Sequence, residues 1–517
     1  MNISQSLKLT GVFVKYFSLF LLVPIFSVFF ITTDFKIIIS ESYLIQILPF
    51  LFSSFITFFI SLGLNKISNV ISTENEELGR KDGFLIASLV WIFAGLLGSL
   101  PYIFSSTLVP ILYPHIIPVF DNDILINSFF ESVSGITTTG ASVFSVFPNI
   151  DQHSMIIFWR SLSQWLGGIG IILLVLIIFP RISVGIMQIA SDQEGTGPQK
   201  ERMTPRLYQT GFILLTIYFG ITLLLYLLLF FIGDLSSYDS IIHSFSTVSS
   251  GGFSSYPLSI ESLANLKVEM IILIFMFISG ISFAIFYFLI TANFQKIFEN
   301  TEFKTYMILN LLLIVGLAFL LNNYYNYSSL SESFRYGAFQ AISISTGTGF
   351  TSYNFNDWPS HIKLFLIFFL IIGGSSGSTT GGVKMIRLII VMKRIYQEIR
   401  RRVSPNIIYT VKINNKVIDE EVVSGVMSFL FLFIFACILS ILAINLIEPE
   451  ISAFTGASAV LSSISNLGPG FEGINPHSNY SFFSIPSKIL LTFLMLLGRL
   501  EIFTIVALLL PSFWKKY

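Results

Sequence analysis

The sequence predicts an all-α polytopic membrane protein of about ten transmembrane helices. Three observations carry this: its composition, a series of apolar runs of spanning length, and basic residues concentrated in alternate connections, with Arg335 standing out on the other side. Of 517 residues, 54% are hydrophobic and only 11% charged, and the mean hydropathy is +0.80. An ordinary soluble domain has about a quarter of its residues charged. The formal net charge is zero, which argues against a nucleic-acid partner, since such a partner requires a basic surface. The single cysteine, Cys437, lies inside FLFIFACILS. Alone it forms neither an intrachain disulfide nor a metal site, and it reads as a packed helix residue.

Apolar stretches of about 20 residues, the length that spans a bilayer, begin the argument for individual elements. They fall near residues 12–32, 43–63, 84–104, 154–179, 208–232, 267–292, 304–322, 362–395, 422–447 and 485–510. The first is longer than the core of a signal peptide and has no small-residue cleavage site after it, so it reads as a retained helix. Between the third and fourth runs, Ser105 to Gln152 contain no Lys or Arg, although they carry Asp121, Asp123, Glu131 and Asp151. The alternate connections hold Lys66, Arg80 and Lys81, then Arg181, Lys200, Arg202 and Arg206, then Lys393, Arg394, Arg400, Arg401, Arg402, Lys412 and Lys416. By the positive-inside rule these are cytoplasmic and both termini are inside, in agreement with Lys515 and Lys516.

Four Gly-centred segments recur on the opposite side, at ESVSGITTTGASVF, HSFSTVSSGGFSSY, AISISTGTGFTSYN and LSSISNLGPGFEGI. Superimposed on Gly140, Gly252, Gly349 and Gly468, they share Thr137, Ser249, Thr346 or Ser465 three residues earlier, and Ser134, Ser246, Ser343 or Ser462 six residues earlier. A period of about 110 residues is too long for a solenoid and fits a module of two membrane helices and a re-entrant loop. The chain then divides into an N-terminal helix pair at 1–65 and pore repeats at 82–180, 205–298, 302–400 and 418–512. In each repeat a short apolar stretch precedes the glycine and reads as a pore helix entering partway. Non-helical backbone at membrane depth is tolerated only under a cover of protein or water, which four loops meeting around a pseudo-fourfold pore provide. Such loops supply rings of carbonyls that replace a cation's hydration shell, and glycine reaches the backbone angles they need. The shared hydroxyls are expected to add acceptors at the loop base. Glycine in membrane proteins also serves close helix packing, but packing alone does not demand hydroxyls at two fixed offsets from four glycines.

These strings resemble the four filters of the Trk/Ktr/HKT potassium transporter superfamily, and most closely its bacterial TrkH-type members. DGFLIASLVWIFAGLLGSLPY, FWRSLSQWLGGIGI, GGSSGSTTGGVKMIR and GRLEIFT extend the likeness from about residue 10 to the last helix. The resemblance implies potassium uptake across the bacterial inner membrane by a homodimer with one pore per protomer. It assigns the potassium-binding carbonyls to Thr138 and Thr139, Ser250 and Gly251, Gly347 and Thr348, and Asn466 and Leu467, each pair preceding its glycine. Glycine in all four repeats implies the potassium-selective form, since plant relatives that prefer sodium carry serine in the first. Asn466-Leu467 departs furthest from a Thr-x-Gly pattern, so the fourth wall is where selectivity is expected to differ.

GGSSGSTTGG, from Gly373 to Gly382, holds five glycines, Gly373, Gly374, Gly377, Gly381 and Gly382. Each costs a helix about 1 kcal/mol relative to Ala, so the segment is expected to unwind. The resemblance implies an intramembrane loop that obstructs the pore and moves on gating; a kinked packing interface is the alternative. Thr380 stands where the family usually has glycine and is expected to stiffen the loop. Arg499 lies in an apolar helix and must face water, the pore or a partner. The resemblance makes it an electrostatic barrier beneath the filter, while a pair with Glu501 or another carboxylate is the other reading. Lys384 reads either as a gate residue or as a snorkelling lysine. Arg160, Gln164 and Trp165 share one helix face and read as interhelical hydrogen-bonding residues.

Gly468 to Gly473 fits GxGxxG literally, but no strand precedes it and it falls outside the cell, so it is no dinucleotide site. No P-loop, HExxH or Ser-His-Asp pattern is present, and the five histidines are scattered. The chain reads as a non-enzyme with no cofactor of its own and potassium as its only metal, carried as cargo. The basic run Val391 to Pro405 is expected to meet anionic lipid or a cytosolic subunit. The resemblance implies a nucleotide-binding regulatory partner similar to TrkA. Transport is expected to be channel-like or proton-coupled. Sodium coupling of the Ktr kind is the nearest alternative. A secondary transporter of another solute is more distant, because such proteins use inverted repeats whereas these four share one orientation.

Overall fold

A computed structural model of the chain describes residues 2–31, 41–71, 79–178, 204–325, 327, 329–404, 410–414 and 416–515. Arg181, Lys200, Arg202 and Lys516, used above to orient the chain, and Pro405, the end of the basic run, lie outside the described residues. Among the described residues, six helices are long and apolar enough to cross a membrane singly, and two bent pairs pass the same test together. The remaining two of the ten expected spans correspond to Ile150–Ile178 and to Ser360–Phe369 with Met385–Val403, which flank the glycine-rich segment.

The N-terminal pair comprises Ile3–Phe20, extended by short turns to Ile31, and Glu41–Ile71. Small residues let the two approach closely: Ser4 and Ser68 each donate to the other's carbonyl at 2.8 Å, and Ser54 Oγ donates to the Ser18 carbonyl at 2.8 Å. The Asn2 amide bonds Asp82 Oδ1 at 2.6 Å, fixing the pair to the next helix.

Four units of a long helix, a short helix and a following helix come next, named outgoing, pore and returning after the expectation from the sequence. The outgoing helices are Arg80–Gly98 with Leu100–Leu112, then Thr204–Phe231, Thr301–Tyr324 and Glu420–Ile447. The pore helices are Ile124–Ile136, Ser237–Val248, Leu330–Ser345 and Ala453–Ser465. All but the first carry an N-cap serine whose side chain accepts a hydrogen bond from the first turn, so each begins at a defined point.

The returning helices depart from expectation. Runs 267–292 and 485–510, read as single spans, are bent by 96° between Leu266–Ser279 and Phe283–Ile290, and by 112° between Ile485–Arg499 and Ile502–Leu509. The second bend turns on Glu501, a non-glycine residue held at φ 59°. Backbone groups freed at the first bend are satisfied by the glycine-rich segment. The Gly280 carbonyl accepts from Ser375 N at 2.9 Å, and Phe283 N donates to the Gly377 carbonyl at 3.1 Å. Two interruptions thus complete each other, which is how a membrane interior tolerates them. The only strands among the described residues form a short hairpin, Lys412–Ile413 with Lys416–Val417.

Candidate functional site

Each pore helix ends in the same way. The residue five after the shared serine donates its amide back to that serine's carbonyl: Thr139 to Ser134 at 2.8 Å, Gly251 to Ser246 at 2.8 Å, Thr348 to Ser343 at 3.0 Å and Leu467 to Ser462 at 3.0 Å. One residue earlier the backbone is left-handed in all four, at Thr138 (φ 55°), Ser250 (57°), Gly347 (69°) and Asn466 (53°). Asn466 therefore differs from its counterparts in side chain only, because asparagine tolerates this conformation. The four central glycines follow at φ 80°, 78°, 79° and 97°.

These glycines close a ring. A Cβ on Gly140 would overlap the Gly251 carbonyl oxygen, one on Gly252 the Thr348 carbonyl, one on Gly349 the Leu467 carbonyl and one on Gly468 the Thr139 carbonyl. The order runs from repeat one through four and back to one, so a carbonyl from each neighbour occupies the space that any side chain would need. All four glycines also line one cavity of about 230 Å³, together with Arg160, Tyr256 and His477. Burial pushes the Tyr256 phenol up to about 12, and the nearby Asp239 carboxylate, which accepts a hydrogen bond from it at 3.0 Å, adds to the rise. The group stays a neutral donor at physiological pH. Below the ring, four pore-helix C-termini converge, and the partial negative charge of such ends favours a cation.

The shared serines explain the register seen in the sequence. Ser134 Oγ holds the Ala141 carbonyl at 2.6 Å, Ser343 Oγ the Phe350 carbonyl at 2.6 Å and Ser462 Oγ the Gly468 carbonyl at 2.7 Å, clamping each strand beside its glycine. Tyr480 donates to Gly468 as well, at 2.7 Å. Three of the four hydroxyls that lie three before the glycine differ from expectation, while the fourth, Ser465 Oγ, is buried with no partner among the described residues. Thr137, Ser249 and Thr346 donate to carbonyls four residues back, at 2.7 Å each, so they cap the pore helices rather than face an ion.

Repeat two lacks the serine clamp, since Ser246 Oγ has no partner among the described residues. Gln164 takes over. Its Nε2 donates to the Gly251 carbonyl at 2.6 Å and its Oε1 accepts from Phe253 N at 3.1 Å. A Cβ on Gly251 would collide with this amide, which accounts for the doubled glycine found only in this repeat. Gln164 and Arg160 thus do more than join helices. Arg160 Nε bonds Glu131 Oε1 at 2.8 Å, and Glu131 accepts from Val143 N at 3.0 Å behind the first loop. Trp165 Nε1 does join helices, bonding Thr222 Oγ1 at 3.1 Å. Replacing Gln164 by leucine leaves Phe253 N buried without an acceptor, a cost of about 1–3 kcal/mol. The expected outcome is a lower potassium-to-sodium permeability ratio; loss of protein with the ratio intact would reduce Gln164 to a purely structural residue.

The segment Gly373 to Gly382 is non-helical, as expected, and closed at its neck by Gly373 N to Val383 O at 2.9 Å and Val383 N to Ile371 O at 2.8 Å. Its far end lies under the ring. Thr379 Oγ1 donates to the Val248 carbonyl at 2.9 Å and sits 2.9 Å from Ser250 Oγ, while Gly381 abuts the Ser465 carbonyl and comes near Gly347. Thr380 is a hub of the loop, its Oγ1 accepting from Gly374 N at 3.0 Å and lying 2.8 Å from Ser378 Oγ. Arg499 donates to the Thr379 carbonyl at 2.8 Å and to the Gly167 carbonyl at 3.2 Å. Loop and arginine together touch all four repeats. Arg499 does not pair with Glu501, whose partner is Arg387. Lys384 does not snorkel: its ammonium folds back onto the Thr380 carbonyl.

The family profile described as TrkH, a cation transport protein, matches residues 50–516. The chain belongs to the TrkH family. It is 34% identical over 463 residues to the Trk system potassium uptake protein TrkH of Salmonella typhimurium, covering 89% of this chain and 92% of the relative. Identity to the Vibrio parahaemolyticus TrkH is 34% over 447 residues, 85% of this chain and 87% of that one. The crystal structure of the potassium transporter TrkH from Vibrio parahaemolyticus superimposes with a TM-score of 0.84 at 29% identity, covering 100% of both chains. The TrkH relatives are named for potassium uptake, a non-enzymatic function. A helical, polytopic membrane fold agrees with the sequence expectation.

Proposed function

We propose that this TrkH-family chain takes up potassium across the bacterial inner membrane, with Thr138 to Gly140, Ser250 to Gly252, Gly347 to Gly349 and Asn466 to Gly468 as its selectivity filter. The observation that carries this reading is the closed cycle in which every central glycine faces a carbonyl of the next repeat. A cycle of that kind presents oxygens from four sides to one axis, the arrangement that replaces the hydration shell of a cation. Support also comes from Thr138 Oγ1, buried with no hydrogen-bond partner among the described residues.

Gly373, Gly374, Gly377, Gly381 and Gly382, with Lys384 and Arg499, form the gate on this reading. A loop anchored at both ends and seated beneath four pore-helix termini blocks the path until it moves, and the Arg499 guanidinium adds a positive barrier. Permeation is channel-like or proton-coupled, potassium is cargo, and the chain requires no cofactor of its own. The protein works as a homodimer of protomers built from the helix pair and four repeats, both termini in the cytoplasm. The exposed residues Arg400, Arg401 and Arg402 end the helix that continues from the gate. They form the docking side for a TrkA-like regulatory subunit that binds the nucleotide.

Expression in a host lacking its own potassium uptake tests the proposal. Growth at low potassium and saturable rubidium influx are expected; influx of sodium with no rubidium component would overturn it.

A further inference from the structure

We infer that Glu302 is the latch that holds the Gly373 to Gly382 loop closed, a positioning role resting on the gate reading above. Glu302 lies in the first turn of the third outgoing helix, Thr301–Tyr324, and is 6% exposed. That helix is already capped by Asn300, whose side chain accepts from Phe303 N at 2.9 Å. The Glu302 carboxylate is turned to the loop instead. Its Oε1 accepts from Ser376 N at 2.6 Å and from Ile386 N at 3.1 Å. One oxygen therefore joins two points that lie on either side of the loop's far end, Thr379 to Gly381.

The two bonds have distinct consequences. The bond to Ile386 places a carboxyl acceptor at the N-terminus of Met385–Val403, where a first-turn amide has no partner within the helix. The bond to Ser376 fixes the descending limb of the loop, next to the Ser375 and Gly377 contacts with the bend at Gly280 to Phe283. Thr379 cannot leave Val248 and Ser250 while both limbs are held by one carboxylate on a separate helix. A buried amide that loses its acceptor has no water to replace it, so breaking either bond is costly. Movement of the outgoing helix of repeat three by one side-chain length would release both limbs together, so the latch couples the loop to that helix.

The test compares Glu302→Ala and Glu302→Gln with the parent and with a variant deleted within Gly373 to Gly382, all as full-length protein in proteoliposomes. Two readouts are taken: potassium current, and hydrogen exchange of the segment 371–388 against that of the pore helices. Loss of the latch is expected to raise the current of Glu302→Ala about tenfold, with the potassium reversal potential unchanged. Loop exchange accelerates and pore-helix protection is retained. Glu302→Gln keeps an acceptor oxygen and is expected to fall between the parent and Glu302→Ala; it carries the test alone if the alanine variant does not fold. Parental current and parental loop exchange in a folded variant overturn the latch, as does a raised current with unchanged loop exchange. If the loop deletion itself raises no current, the gate reading fails; if the deletion leaks while the Glu302 variants stay closed, only the latch fails.

Discussion

Rubidium uptake falls to background when valine replaces Gly140 and Gly252 together. Both positions are left-handed, at φ 80° and 78°, where a β-branched residue is strained by about 1–3 kcal/mol. The larger effect is steric. A Cβ at Gly140 would occupy the place of the Gly251 carbonyl, and one at Gly252 that of the Thr348 carbonyl. Neither obstacle is a side chain that can rotate away. Each is backbone held from behind, Gly251 by Gln164 and Thr348 by Ser343. The substituted ring has to open or turn its carbonyls, and in either case the oxygens no longer surround one axis. Alanine at one position alone is expected to give an intermediate loss. The measurement is rubidium influx in a potassium-uptake-deficient host, normalised to the amount of protein in the membrane. Undiminished influx through the double variant would remove the four-loop ring from the conduction path.

Shortening the loop within Gly373 to Gly382 produces the second large effect, in the opposite direction. Open probability rises, because the loop and Arg499 are what touch all four repeats beneath the ring. Deleting Thr379 to Gly381 removes the contacts with Val248, Ser250 and the Ser465 carbonyl, and takes away the carbonyl that receives Arg499. The buried guanidinium then keeps only the Gly167 carbonyl. It is expected to swing toward water, since an unpaired charge in a membrane interior costs several kcal/mol. Single-channel records should show longer open periods and an unaltered reversal potential, because the filter stays intact. Closures as frequent as those of the parent would make the segment a packing interface, the alternative that its composition also allows.

The fold and the ring were legible in the sequence for a physical reason. Glycine and serine at fixed offsets are demands of the backbone itself: glycine where a carbonyl fills the side-chain space, serine where the returning strand needs a clamp. Such demands repeat whenever the loop repeats. What was not legible depends on partners distant in the chain. Gln164 reads as one more polar helix residue until the Gly251 carbonyl is found opposite it, although the doubled glycine of repeat two is a trace of that contact. Glu302 looks like an ordinary first-turn acid in TEFK, and nothing in its neighbours points to Ser376 or Ile386. The bends at Gly280 to Ser282 and at Glu501 were hidden because both runs are apolar enough on average to pass as single spans, and hydropathy does not distinguish a straight span from a broken one. The sequence left an Arg499–Glu501 pair open, but Arg499 ends one helix and Glu501 sits at the bend before the next, and the two do not pair. Spacing could not identify Arg387, which pairs with Glu501 and stacks 4.0 Å from the Phe429 ring centroid.

The central claim is that four unequal loops make one potassium-selective path. Reversal potentials of the purified protein in proteoliposomes, under separate potassium, sodium and proton gradients, test it most directly. The account predicts a reversal potential that follows the potassium gradient and hardly responds to sodium, with any dependence on the proton gradient distinguishing coupled transport from a channel. A reversal potential that tracks sodium as closely as potassium would contradict it.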